Sequence, residues 1–253
     1  FVCPAMGEQI TWNTIRLALT AVESLEMHWL RRVLLCQCVR QSVCQSVCQW
    51  SVGVSGITSD ASAESEFAIN QTKMWIEKAV IRLNLCPFAS KPFLSDLIRY
   101  SVSDATDEQG LVEDFFNEGL LLCDAPEEYL ATTMLIAPAY KGGIETFYEL
   151  YCGLTELLES EDENILKNQV QPAFFHPDWR FEGMPPDAPL HFEKRAPSPV
   201  INLLRRSSLD RVVEEGLNRG VVINKQIADH NKHRLNEEGT IVLQALFEEL
   251  RQS

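Results

Sequence analysis

The sequence predicts a single α/β (or α+β) domain with a small sheet of about three to five strands, flanked by helices and followed by a helical C-terminal tail. From about residue 67 onward, helical and strand patterns alternate along the chain. Three short runs rich in branched and aromatic residues are typical of strands, "IRYSV" (98–102), "TTMLIA" (132–137) and "VQPAFF" (170–175). With 45% hydrophobic and 23% charged residues, the chain can bury a core. Parallel and ferredoxin-like sheets both remain open.

Helices are expected between these strands. The run "QTKMWIEKAVIRLN" places apolar residues on one helical face, namely Ile76, Ala79, Val80 and Leu83. Thr106 with Gln109 fits a capping box that opens a second helix. Gly142-Gly143 precede a third, and three more are expected near 208–217, 224–235 and 240–251. A proline-rich loop spans 177–199, and loops of that length within a compact domain are usually functional or disordered.

The chain divides into two unlike parts. Residues 1–66 read as a low-complexity extension with the repeat "CVRQSVCQSVCQW", and residues 67–253 as the globular domain. From Met27 the extension is rich in Arg and Ser and has no acidic residue before Asp60. That composition is typical of an organelle transit peptide, which predicts an intracellular protein of the mitochondrion or plastid. The alternative is a non-native or poorly ordered extension.

Charge and cysteine content exclude several classes. The net charge is −14. Residues 1–60 contain equal numbers of basic and acidic residues, so the excess of acidic residues lies in residues 61–253. Such a body is a poor partner for nucleic acid, since phosphates are neutralised by Lys and Arg. No apolar run is long enough to predict a membrane span. Beyond the extension, the cysteines are too few and too widely spaced for a disulfide framework, which indicates a reducing compartment. We therefore expect a soluble protein with a small-molecule partner; the oligomeric state is not predicted.

Basic residues concentrate around the third predicted strand and the loop after it. His176 ends that strand, where an open α/β sheet presents residues to a ligand. Arg180, Arg195 and Arg205 follow, and arginine suits bidentate binding of phosphate or carboxylate. Ser207 and Ser208, at a helix start, would add backbone donors for an anion. Alternatively, His176 and Arg180 pair with loop carboxylates and only hold the loop in place.

Cys86 is the second residue with chemical capacity. It follows the first amphipathic helix and precedes Pro87, which stops the helix. A thiolate there would be a nucleophile or a ligand, but a helix C-terminus raises a thiol pKa, which favours a buried, inert cysteine. His176 and His191 with Asp178 or Glu193 have no diagnostic metal spacing, and the thiols of the extension match no common zinc template, so no metal site is predicted.

Four segments in order, "WIEKAVIRLNLCPFA", "EEYLATTMLIAP", "QPAFFHPDWRFEG" and "RAPSPVINLLRR", resemble the motifs of an uncharacterised family labelled domain of unknown function 1415. The resemblance covers about residues 73–253. It implies recurring positions rather than a reaction, and these positions include Cys86, His176, Arg195 and Arg205. The chain has Asn202 where the family usually has histidine, and Arg206 where it usually has glutamate.

The leading hypothesis is an enzyme that acts on an anionic small molecule. Arginines 180, 195 and 205 would bind the anion, His176 would act as acid or base, and Cys86 would be a nucleophile or ligand. The alternatives are a non-catalytic metal- or ligand-binding protein and a purely structural role for these motifs. The sequence identifies no cofactor.

Overall fold

The computed structural model describes residues 59–159 and 166–252. Most of the predicted N-terminal extension, including the repeat and the segment from Met27, therefore lies outside the described residues. Helix α1 spans Ser59–Trp75 and continues into a π-helical turn, Ile76–Ile81. No helix in the described part of the chain is long and apolar enough to cross a bilayer.

The remaining elements follow in chain order. They are α2 (Ser90–Leu94), β1 (Ile98–Val102), α3 (Glu108–Asp124), β2 (Thr132–Ile136), α4 (Ile144–Glu159), β3 (Val170–Phe175), a 3-10 helix (Pro189–Glu193), β4 (Val200–Arg205), α5 (Arg206–Asn218), α6 (Ile223–Glu238) and α7 (Thr240–Gln252). One four-stranded sheet flanked by helices, with helices at the C-terminal end, confirms the predicted fold class.

The sheet is mixed, with strand order β1-β2-β4-β3. Strands β1 and β2 are parallel, and β4 lies antiparallel between β2 and β3. The carboxyl ends of β1, β2 and β3 therefore lie at the same end of the sheet, which is also where β4 begins. Pro172 lies in β3, an edge strand, where a missing backbone N–H does not break the sheet.

Helices cover both faces of the sheet. Phe174 packs on Phe147 of α4, with ring centroids 5.3 Å apart, whereas the next residue, Phe175, packs on Trp75 of α1 at 4.9 Å. Because successive strand residues point to opposite faces, α1 and α4 lie on opposite sides. On the α1 side of the sheet, residues of α1 pack with residues of α6 and α7, such as Leu235 and Phe247, to form a hydrophobic core.

Three local predictions need correction. Strand β4, "VINLLR", is not among the three strands that the sequence predicts, although a sheet of three to five strands allows for it. The first helical pattern loses its α-helical geometry after Trp75, in the π-helical turn. The cap of α3 is Asp107 rather than Thr106, and its Oδ1 accepts the backbone N–H of Gly110 at 2.9 Å. A carboxylate in the cap position also stabilises the helix, because its negative charge lies at the positive end of the helix dipole.

Candidate functional site

His176 follows β3 at the edge where the carboxyl ends of three strands meet. Its backbone N–H donates to the Lys194 carbonyl at 3.0 Å, and its ring packs on Phe147 of α4 with centroids 5.3 Å apart. The side chain is only 5% exposed. The two sides of the long loop are therefore joined at His176, and α4 fixes its ring.

The ring of His176 is held in one protonation state. Its Nδ1 accepts the backbone N–H of Asp178 at 3.1 Å. Burial lowers the pKa of His176, against the opposing fields of Asp178 and Glu145, and Arg251 lowers it further. A neutral ring whose Nδ1 is an acceptor carries its proton on Nε2. Among the described residues Nε2 has no hydrogen-bond partner, so this N–H is left as a free donor.

Three guanidinium groups gather beside His176. Arg195 donates through Nε to the carbonyl of Trp179 at 3.1 Å, and Arg251, from the last turn of α7, donates to the carbonyl of Pro177 at 3.3 Å. Arg180 is exposed in the same loop. We call Arg180, Arg195 and Arg251 the arginine cluster.

The arginine cluster is electrostatically unfavourable by itself. Burial lowers the pKa of Arg195, and the neighbouring charges of Arg180 and Arg251 lower it further, opposed only by Asp178. No member forms an ion pair with a carboxylate in the described residues. Arg99 and Arg206 do form ion pairs, with Glu118 and Asp210. Arg205 and Arg219 instead donate to backbone carbonyls. The cluster thus concentrates positive charge without an ion pair in the described residues, and Asp178 is the one carboxylate whose field opposes it at Arg195.

Arg205 lies at the other end of the sheet. Because β4 runs antiparallel to β3, Arg205 pairs with Val170, whereas Phe175, next to His176, pairs with Val200. The Arg205 guanidinium donates to the carbonyls of Leu130 and Ala125. Its contacts join β4 to the connection between α3 and β2, and the structure does not bring it to His176.

Cys86 also lies apart from His176. The charged group that acts on Cys86 is the ammonium of Lys194. This ammonium lies 5.2 Å from the ring centroid of Phe175, on the side of the sheet that α1 covers. Burial raises the pKa of Cys86, although the backbone N–H groups of Phe88 and Ala89 and the charge of Lys194 act to lower it. The helix before it ends earlier than predicted, so burial rather than a helix dipole keeps this thiol protonated.

Two other sequence features have partners within the protein. His191 is 1% exposed; its Nδ1 accepts the N–H of Phe181, and its Nε2 lies 2.8 Å from the carbonyl of Pro185. Ser208, at the start of α5, donates to Glu127, so a carboxylate of the protein occupies that helix start. No group of three or more His, Cys, Asp or Glu side chains is placed to hold a metal ion within residues 59–159 and 166–252.

A cavity of about 290 Å³ lies near the Cys86 motif, lined by Pro87 and Phe88 together with residues of α5 and α6 such as Glu215 and Ile227. The arginine cluster does not line it.

A protein-family model described as "Protein of unknown function (DUF1415)" matches residues 67–244. The chain belongs to this family. The match confirms the resemblance seen in the four motifs. Searches of curated proteins and of solved structures found no match.

The DUF1415 match includes His176, Arg180 and Arg195, but Arg251 lies beyond its last residue. Sequence reasoning missed Arg251 because it lies in a helix far along the chain from the loop. The one local signal is a basic residue in the last turn of α7, which is common in helices and does not point to a site.

Proposed function

We propose that the protein binds an anionic small molecule, through a phosphate or carboxylate group, at the loop that follows β3. The arginine cluster is the observation that supports this proposal. Like charges held close together cost free energy, and a chain of net charge −14 has ample carboxylates with which to neutralise them. A ligand that brings negative charge explains why these guanidinium groups lack carboxylate partners.

His176 has the geometry of a hydrogen-bond donor in this proposal. To act as a general base, it would need a free lone pair on a ring nitrogen. The lone pair of Nδ1 accepts from Asp178, and Nε2 bears the proton in the favoured tautomer. The geometry therefore favours ligand binding over acid–base catalysis, and the catalytic role expected for His176 stays a prediction.

The proposed site leaves out two residues that the sequence placed in it. Arg205 is engaged with backbone carbonyls at the opposite end of β4. Cys86 lies with Lys194 on the α1 face, whereas the ring of His176 packs on α4. A thiol role in the chemistry of this anion would need the two faces to communicate, so Cys86 stays outside the proposed ligand contacts.

A thermal-shift screen against phosphorylated and carboxylated metabolites tests the proposal. A ligand that binds only the folded state raises the unfolding temperature as its concentration increases above Kd. We expect such a rise for anions, with loss in Arg195→Gln and Arg251→Gln. Arg206→Gln is the matched control, since Arg206 is paired with Asp210, and should keep the full shift. Failure of every anion to stabilise the protein, or an equal loss in Arg206→Gln, would contradict the proposal.

A further inference from the structure

We propose that the group recognised by the arginine cluster is a doubly charged phosphoryl group, such as that of a phosphate monoester, and that the indole N–H of Trp179 is one of its donors. This inference rests on the proposed function and makes its ligand more specific. Three independent observations carry it: the charge around Arg195, the directions from which donors come, and a buried donor without an acceptor.

The charge around Arg195 matches a dianion. Arg180, Arg195 and Arg251 carry three positive charges, and Asp178 is the one carboxylate whose charge acts on Arg195. The charges that act on Arg195 are therefore more positive than negative. Glu145, at the start of α4, faces His176 but is not among the charges acting on Arg195. The dianion of a phosphate monoester compensates more of this excess positive charge than a single carboxylate does.

The donors approach from three separate segments. Arg180 and His176 belong to the loop after β3, Arg195 precedes β4, and Arg251 belongs to α7. Arg195 and Arg251 each use one N–H group on a loop carbonyl, which fixes the guanidinium while the other N–H groups stay available. The face of the Arg195 guanidinium also lies 4.5 Å from the ring centroid of Phe192.

Donors from several directions suit a tetrahedral group. A carboxylate presents two oxygens in one plane, so its hydrogen-bond acceptor sites lie in or near that plane. A phosphoryl group presents three terminal oxygens that point apart, so it can accept from several segments at once. The arginine cluster therefore fits a phosphoryl group better than a carboxylate.

Trp179 supplies the third observation. It is 8% exposed, and its indole nitrogen is buried without a hydrogen-bond partner among the described residues. Burying an unsatisfied donor costs free energy, so such groups are rare in folded proteins. The Trp179 carbonyl accepts from Arg195, and its ring packs on Tyr148 and Phe181. Trp179 directly precedes Arg180 in the loop after β3. Its indole nitrogen is covered in the structure, so the proposal is that ligand binding uncovers it and that a phosphoryl oxygen supplies its acceptor.

Calorimetric titration with small probes of matched shape tests the inference. Methyl phosphate is a dianion at pH 8, dimethyl phosphate is a tetrahedral monoanion, acetate is a planar monoanion, and malonate is a dianion of two planar groups. We expect methyl phosphate to bind at least about tenfold more tightly than each of the other three, in phosphate-free buffer. Arg195→Lys, which keeps the charge but loses the planar guanidinium, should weaken this binding by about tenfold.

The probes separate failure of this inference from failure of the proposed function. If acetate or dimethyl phosphate binds as tightly as methyl phosphate, and Arg195→Lys weakens that binding, the anion site is supported. The assignment of its ligand as a dianion is then overturned. If malonate matches methyl phosphate, the charge is right and the phosphoryl assignment is overturned. If none of the four binds and the metabolite screen is also negative, both proposals fail.

Trp179→Phe tests the indole contact. Phenylalanine keeps an aromatic ring against Tyr148 and Phe181 but removes the N–H. We expect the affinity for methyl phosphate to fall by about tenfold while the unfolding temperature without ligand is maintained or rises, since an unsatisfied buried donor is removed. Tyr148→Phe, which changes the neighbouring ring by one hydroxyl, is the control and should bind as the parent does. Unchanged affinity in Trp179→Phe would overturn the assignment of the indole as a donor.

Discussion

The backbone N–H of Asp178 donates to Nδ1 of His176 at 3.1 Å. This bond is available only while Nδ1 is unprotonated, because an imidazolium has donors on both ring nitrogens. It therefore acts with burial to keep His176 neutral. The proton on Nε2 is the group that His176 offers to a ligand.

The stability of the protein should decrease in acid because of His176. Burial lowers the pKa of His176 in the folded state, so the unfolded chain, with an ordinary pKa near 6.5, binds the proton first as the pH falls. The contribution of His176 to the free energy of unfolding is thus fully present above about pH 6.5 and is lost as the pH falls through the lower pKa of the folded state. Urea unfolding between pH 5 and pH 8, in phosphate-free buffer, measures this dependence.

A substitution isolates the contribution of His176. Asparagine at this position keeps an acceptor for the Asp178 N–H but cannot take up a proton, so His176→Asn should flatten the acid limb of the stability profile. His230 is exposed, and His230→Asn should retain the slope of the parent. An unchanged slope in His176→Asn would show that other groups cause the loss.

Arg205 should contribute to stability and not to ligand binding. Its guanidinium satisfies the carbonyls of Leu130 and Ala125, and Arg205→Ala leaves both without this donor. We expect a loss of about 2 kcal/mol in the free energy of unfolding, with unchanged affinity for methyl phosphate. Arg206→Ala removes the neighbouring guanidinium, whose ion pair with Asp210 is exposed, and should cost less than about 0.5 kcal/mol. A weakened anion affinity in Arg205→Ala alone would return Arg205 to the site.

Gly142 and Gly143 should differ in their tolerance of alanine. A Cβ at Gly142 would overlap the hydroxyl and Cζ of Tyr140, whose hydroxyl donates to Glu108. A Cβ at Gly143 would meet only the flexible carboxylate of Glu145 at 3.3 Å. Gly142→Ala should therefore destabilise the protein by about 1–3 kcal/mol through the displaced tyrosine. Gly143→Ala should be within about 0.5 kcal/mol of the parent.

The Tyr140 ring is the main cause of this difference, since a Cβ at position 142 would overlap both its hydroxyl and its Cζ. In a Tyr140→Ala background the alanine at 142 should cost less, because both of these ring atoms are absent. Thermal or urea unfolding of the four variants checks the effect. Equal costs in both backgrounds would place the strain elsewhere.

Cys86 should react slowly in the folded protein. Burial raises its thiol pKa, so little thiolate forms near pH 8, whereas Cys152 is exposed. With an alkylating reagent and peptide mapping by mass spectrometry, we expect Cys152 to be modified first and Cys86 at least about tenfold more slowly. Cys86→Ala should bind methyl phosphate as the parent does. Rapid alkylation of Cys86 would support the nucleophile that the sequence predicts.

Much of the fold follows from local patterns. Strands β1 and β3 occur where the sequence predicts them, and β2 differs by one residue at its end, because runs of branched and aromatic residues favour extended backbone. Strand β4 was missed for a physical reason. It ends at Arg205 and α5 begins at Arg206, so no turn residues mark the boundary between strand and helix.

The sequence by itself determined which residue types concentrate after β3, and that the motifs containing Cys86, His176 and Arg195 occur in the family order. Only the tertiary structure decided which of them are neighbours. Strand β4 runs antiparallel to β3, so its length carries Arg205 to the far end of the sheet. The packing of α7 brings Arg251 to the loop instead. Alternation at the end of β3 turns Phe175 toward α1 and His176 toward α4, and Lys194, the charge that acts on Cys86, lies on the Phe175 side. Strand direction and helix packing are set by contacts between residues far apart in the chain, and no local pattern encodes them.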